Sequence, residues 1–181
     1  MRSLHPIARA RPLTRLSALL VVVLAAALAG PFMSTAGASA SASCNRTQFP
    51  TTCEVIEPNV KQFSTTYPQI QLYARQHVTI QAGGCVQTGG RGKTWKRYVN
   101  PVGGFGLYKG YIDIPYTTFG PLPLWQVVNA EFTVTRDTPL ILDYDDDNYG
   151  DNGYWGRAGD DGTGDQCRGL GNAWVRLTIT N

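Results

Sequence analysis

Residues 142–155 read LDYDDDNYGDNGYW, so that Asp143, Asp145, Asp146, Asp147 and Asp151 place five carboxylates in nine positions with no Lys or Arg among them. Asn148, Gly150, Asn152 and Gly153 punctuate the run with turn residues. Carboxylates this close repel one another, and without a cation some must protonate or the loop must splay. Ca2+ accepts about six to eight oxygen ligands from carboxylates, Asn side chains and backbone carbonyls, and a flexible turn can wrap them around it. The segment from Asp143 to Asn152 offers that set and no soft donor. It is not an EF-hand loop: Asn148 stands where the sharp-turn Gly belongs, and no Glu closes the motif. A second acidic stretch, GDDGTGDQC at 159–167, adds Asp160, Asp161 and Asp165. Calcium is the expected cofactor. The interleaved Tyr144, Tyr149, Tyr154 and Trp155 argue that the segment is ordered.

Other chemistry has less to work with. His77 lies inside a strand-like pattern and reads as a hydrogen-bonded or exposed strand residue. With one His beyond the leader and four cysteines suited to disulfides, a zinc site is hard to assemble. No GxSxG segment supplies a nucleophile turn. GGRGKT at 89–94 lacks the first glycine of a phosphate-binding loop, since position 87 is Gln87. RGKTWKR at 91–97 reads as a solvated hairpin whose Trp95 packs inward. The expectation is a non-enzymatic protein.

The elements that must hold the acidic loop are strands. Arg2, Arg9, Arg11 and Arg15 precede an apolar run from Leu16 to Ala29 and then a small-residue stretch. This is the pattern of a secretory signal peptide over 1–42, with cleavage after Ala40 or Ala42, rather than of a membrane span. The leader carries four of the sixteen basic residues and none of the thirteen acidic ones, so the remainder has 12 − 13 = −1 charge. That near-neutral balance gives no argument for nucleic acid. A secreted chain with Cys44, Cys53, Cys85 and Cys167 is expected to hold two disulfides. Of the three pairings, Cys44–Cys53 closes a short loop and Cys85–Cys167 ties the start of the domain to its end, and this pair of bridges is preferred.

Alternation puts Ile70, Leu72, Ala74, Val78 and Ile80 on one parity, then Phe132 and Val134, then Leu140 and Leu142, and finally Val175, Leu177 and Ile179. Asp137-Thr138-Pro139 marks a turn. Short strands with long turn-rich connections predict an all-β chain, a single jelly-roll or β-sandwich domain over 69–181. Residues 43–68 are expected to form a disulfide-bearing N-terminal arm lying on it.

VTIQAGGCVQTGG with KTW (78–95), LILDYDDDNYGDNGYW (140–155) and the terminal AWVRLTI resemble the bacterial calcium-dependent galactose-binding lectins of the PA-IL type over about residues 75–180. The resemblance implies a small jelly-roll sandwich whose calcium sits in a loop before the last strand, with two sugar hydroxyls completing the coordination. By position it implies Asp145 as the principal carboxylate ligand, Asn148 as a backbone ligand, Asp151 and Asn152 as side-chain ligands, and Thr88 as a backbone ligand from a second loop. The sequence departs from the family between Asp145 and Asn148, which is one residue shorter, and at Asp151, where asparagine is usual. It also lacks the His and Gln turn that reads galactose, and it carries an insertion at 156–171.

The resulting expectation is a secreted calcium-dependent carbohydrate-binding module in which Tyr149, Tyr154 or Trp155 offers an apolar face to a sugar. Single-site affinity should be weak, so that multivalency, for example in a homo-oligomer, would supply useful binding. The rival expectation is a calcium-stabilised protein-interaction or structural module of a secreted assembly. A hydrolase using two of the Asp residues as an acid/base pair is the third.

Overall fold

A computed structural model of the chain describes residues 40–90, 94–100, 106–114, 120–155 and 166–181. The expected signal peptide and the acidic residues Asp160, Asp161 and Asp165 lie outside them. Eleven strands are present among the described residues: β1 (Ser41–Asn45), β2 (Thr51–Ile56), β3 (Ser64–Leu72), β4 (His77–Gly83), β5 (Cys85–Gln87), β6 (Trp95–Arg97), β7 (Lys109–Asp113), β8 (Leu122–Pro123), β9 (Glu131–Thr133), β10 (Thr138–Asp145) and β11 (Trp174–Thr180). A single helical turn, α1 (Leu124–Val127), follows β8.

Two antiparallel sheets carry the fold, one ordered β1-β2-β11-β4-β9 and the other β3-β10-β7-β8, with β5-β6 as a separate ribbon. The chain is an all-β sandwich. Its core follows from period-2 alternation: Val175, Leu177 and Ile179 of β11 are buried, and so are Val78 and Ile80 of β4 and Leu140, Leu142 and Tyr144 of β10. Each fully buried aliphatic side chain stabilises the fold by about 1.5–3 kcal/mol relative to exposure.

Two expectations change. The run from Ile70 to Ile80 is not one strand: it breaks between β3 and β4, which belong to different sheets. Arg75 takes a left-handed backbone with φ 75°, and its NH donates to the Val134 carbonyl at 2.7 Å. Ala74 leaves the inward parity there, and its NH donates to the Asp137 carboxylate at 2.8 Å.

The segment 43–68 is also not an arm resting on the sandwich. β2 lies between β1 and β11, in register from Trp174↔Ile56 to Ile179↔Thr51, and it buries Cys53 and Val55 in the core. β3 pairs with β10 in the other sheet. Both sheets therefore take strands from before residue 69.

Cys44 and Cys53 face each other across β1 and β2 and are bonded. Cys85 is bonded to Cys167 across a sequence separation of 82. Trp95 packs inward against this second bridge.

Close approach fixes one glycine. On β7, Gly110 pairs with Tyr144, and its NH donates to the Tyr98 carbonyl at 2.8 Å. The Tyr98 and Tyr144 rings stack at 5.9 Å between centroids. A Cβ at position 110 would lie 2.6–2.8 Å from three Tyr98 ring carbons, and that ring is fully buried and cannot step aside. Gly110→Ala is expected to lower the unfolding free energy by about 1–3 kcal/mol, as overpacking does, measured as a reduced urea midpoint at unchanged slope.

Candidate functional site

The acidic segment begins where β10 ends. Inward parity on β10 runs through Leu140, Leu142 and Tyr144 and continues to Asp146, which is only 7% exposed. One Asp146 carboxylate oxygen, Oδ1, accepts the Asn148 NH at 3.0 Å. The Asn148 Oδ1 in turn accepts the Gly150 NH at 3.1 Å, capping a 3-10 turn over Tyr149–Asp151. Two successive side-chain-to-backbone turns thus bend the chain within five residues, which is what Asp and Asn at this spacing favour.

The turn delivers Asn152 to the interior. Asn152 is fully buried, and its Nδ2 donates to the Val60 carbonyl at 2.8 Å. Next to it, Gly153 and Gln87 exchange NH-to-carbonyl bonds at 3.0 and 2.9 Å. The Gly90 NH donates to the Asp151 carbonyl at 3.0 Å. Gly90 has φ +78°, and a Cβ there would lie 3.8 Å from the Asp151 Cβ. The loop after β5, with Thr88, is in this way laid alongside Asp151–Gly153.

This arrangement leaves oxygen atoms without partners. Asp146 Oδ2, Asp151 Oδ1, Asn152 Oδ1 and Thr88 Oγ1 are all buried and make no hydrogen bond. A buried acceptor left unsatisfied costs about 1–3 kcal/mol, more when charged, so several in one loop pair call for a ligand or water. Burial pushes the Asp146 carboxyl above the usual carboxylate range. The Asn148 NH, the Asn152 amide and the Asp147 NH favour its charged form, while the Asp147 carboxyl beside it disfavours it. On the rim, the Tyr108 hydroxyl donates to Asp147 Oδ1 at 3.1 Å. Desolvation first, then that bond and the charges of Asp147, Asp146 and Asp151, raise the Tyr108 pKa. Three carboxylates of the segment therefore act on one phenol.

Of the expected ligands, Thr88, Asp151 and Asn152 are brought together. Asn148 is exposed and serves as the cap; its carbonyl accepts the Asp151 NH at 3.5 Å. Asp145 closes β10 in register with Lys109, its carbonyl accepts the Tyr108 NH at 2.7 Å, and it has no buried orphan oxygen. The buried, unpartnered carboxylate oxygen at this strand end belongs instead to Asp146, which was not among the expected ligands. Its signal was present, since Asp146 continues the Leu140, Leu142, Tyr144 alternation. Among the described residues no three His, Cys, Asp or Glu side chains form a metal-holding group. A calcium site here would have to mix carboxylate, amide and carbonyl oxygens.

The aromatic candidates separate. Tyr149 is half-buried and its hydroxyl donates to the Tyr144 carbonyl at 3.2 Å. Tyr154 donates to the Pro58 carbonyl at 2.8 Å and packs against the core; its burial holds the phenol well above its ordinary pKa. Trp155 is half-buried, with the Lys61 ammonium 4.3 Å from its ring centroid. His77 lies on β4 at 3.5 Å from Glu131, remote in register from the acidic turn.

The fold defines this chain as an all-β, disulfide-containing two-sheet sandwich. No described helix is long and apolar enough to cross a membrane. No protein-family model, curated protein or solved structure matches the chain.

Proposed function

We propose that the chain is an exported, non-catalytic, calcium-dependent carbohydrate-binding protein. The observation that supports this reading is the set of buried, unpartnered oxygens of Asp146, Asp151, Asn152 and Thr88. Asp146 and Asp151 would supply the charge, Asn152 an amide oxygen, and Thr88 and Asn148 backbone or hydroxyl oxygens, all hard donors suited to Ca2+. The ion would neutralise carboxylates that now repel one another and would offer its remaining positions to a sugar diol. Asp146 replaces Asp145 as the principal carboxylate of the reading. Export fits the two disulfides. Of the two cleavage positions, the one after Ala40 leaves β1 entire, since β1 begins at Ser41.

A glycan panel probed with Ca2+ and again with excess chelator tests the proposal. The expected outcome is binding to at least one neutral sugar that chelation abolishes and Asp151→Ala weakens by tenfold or more. A panel silent in both conditions would rule the lectin reading out.

The commitment of the Tyr149 and Tyr154 hydroxyls to backbone carbonyls favours a second reading, in which calcium only rigidifies the loop of a protein-interaction module. Deleting the N-terminal segment cannot test it, because β2 is internal to a sheet. Phe49, 71% exposed in the β1–β2 connection, is the better probe. A partner from culture medium lost with Phe49→Ser would favour that reading over the first.

A further inference from the structure

A cavity of about 450 Å3 opens beside the acidic turn, walled by residues 57–61 and 65–69, by the start of β1 and by Gly153–Trp155. Its volume falls within the range of small-ligand sites, about 300–1,000 Å3. Three hydrogen bonds fix its wall: Tyr154 OH to the Pro58 carbonyl at 2.8 Å, the Asn59 NH to Tyr67 OH at 2.7 Å, and Asn152 Nδ2 to the Val60 carbonyl at 2.8 Å. The Lys61 NH is held by Asn59 Oδ1 at 3.0 Å, so the backbone that presents Lys61 is set before any ligand arrives.

The chemistry of the cavity is uneven. Pro58, Val60 and Tyr67 are buried and line it with apolar surface. Trp155 lies against Gly153, where a Cβ would come within 2.9–3.0 Å of three indole carbons. The exposed Lys61 places its ammonium over the same indole. Glu57 also lines the cavity and keeps its negative charge, its carboxylate held by Asn172 Nδ2 at 2.6 Å. Lys61 is the cation among the described lining residues, and its ammonium lies 4.3 Å from the Trp155 ring centroid, on the Trp155 side of the cavity.

We propose that this cavity is a second saccharide site, specific for an acidic sugar. A uronic acid has the two features the walls ask for. Its pyranose ring has an apolar CH face to lie on Trp155 and the apolar lining, and its carboxylate can draw Lys61 off the indole into an ion pair. The polar side chains of Asn59, Thr65 and Gln69 would meet the ring hydroxyls. No metal enters this site, so it stands apart from the calcium reading.

Calorimetric titration of the whole chain with a uronic-acid disaccharide, in excess chelator, tests this. Saturable binding is expected, with Lys61→Glu weakening it about tenfold or more, as loss of a charged hydrogen bond does, and Lys61→Arg retaining it. The exposed Lys61 allows these variants to fold where Trp155→Ala could fail against Gly153. The matching neutral disaccharide should not bind in chelator. Absence of binding, binding indifferent to Lys61→Glu, binding abolished by chelator, or equal competition by an acidic peptide would each overturn the proposal.

Discussion

Saturating the chain with Ca2+ at about a thousandfold its dissociation constant is expected to stabilise it by about 4 kcal/mol, and excess chelator to remove that gain. For a domain of this size the melting temperature should move by on the order of 10 °C. The effect would follow from the proposed site, where the ion would meet the buried, unpartnered oxygens of Asp146, Asp151, Asn152 and Thr88 in the folded loop and would find no equivalent site in the unfolded chain. Asp146→Asn gives the sharper result, because its sign depends on the metal. In chelator, the substitution removes a buried carboxylate crowded by Asp147 and should be neutral or slightly stabilising. With Ca2+ present it should forfeit most of the calcium-dependent gain. Asp145→Asn, at the strand end beside the site, should change little in either condition. Calorimetric scans of the three chains, with and without metal, decide the matter. A melting temperature indifferent to both Ca2+ and chelator would remove the calcium reading together with the sugar site built on it.

The second large effect concerns the Cys85–Cys167 bridge. In the chain-entropy account, closing a loop of 82 residues stabilises by about 4.5 kcal/mol, against about 2.5 kcal/mol for the loop of nine closed by Cys44–Cys53. The double Ser variant at 85 and 167 should therefore lose more than the one at 44 and 53. Packing adds to the difference, since Cys85, Cys167 and Trp95 form their own buried cluster. The loss should also reach the acidic turn. Cys85 belongs to the same short strand as Gln87, which holds Gly153 by two hydrogen bonds. Calcium affinity is thus expected to fall in the 85/167 variant and to hold in the 44/53 variant. Denaturant titrations that ranked the two variants in the opposite order would refute the account.

Much of the core was legible in the chain. Val175, Leu177 and Ile179 alternate without interruption and are buried on a central strand, where both neighbours reinforce the pattern. The break after Leu72 was not legible. Ala74 keeps the apolar parity, and only the capture of the Arg75 NH by the Val134 carbonyl and of the Ala74 NH by Asp137 turns the chain there. Those partners lie some sixty positions away. Strands β1 and β2 were obscured for another reason. SASCN and TTCEVI are largely polar, and β2 earns its interior place through Cys53 and Val55 alone. Around the acidic segment, the turn residues could be anticipated from composition, whereas the closeness of the Thr88 loop to Asp151–Gly153 comes from backbone bonds between distant stretches of the chain. The choice between Asp145 and Asp146 could not be made from composition, because adjacent aspartates differ only in which way the strand's pleat points them.

The placement of β11 bears on how the chain reaches its folded state. β11 lies between β2 and β4, and its register with β2 joins Trp174 to Ile56. Both neighbours come before it by some hundred residues, so the larger sheet has a gap in its middle until positions 174–180 are available. Non-local pairing of this kind slows folding. A chain emerging N-terminus first would then leave that sheet open until positions 174–180 had followed. In that interval the first cysteine pair could meet its oxidant, while Cys85 waited for Cys167. Chain order would then set the sequence of oxidation, with the local bridge free to close first and the long one waiting for Cys167.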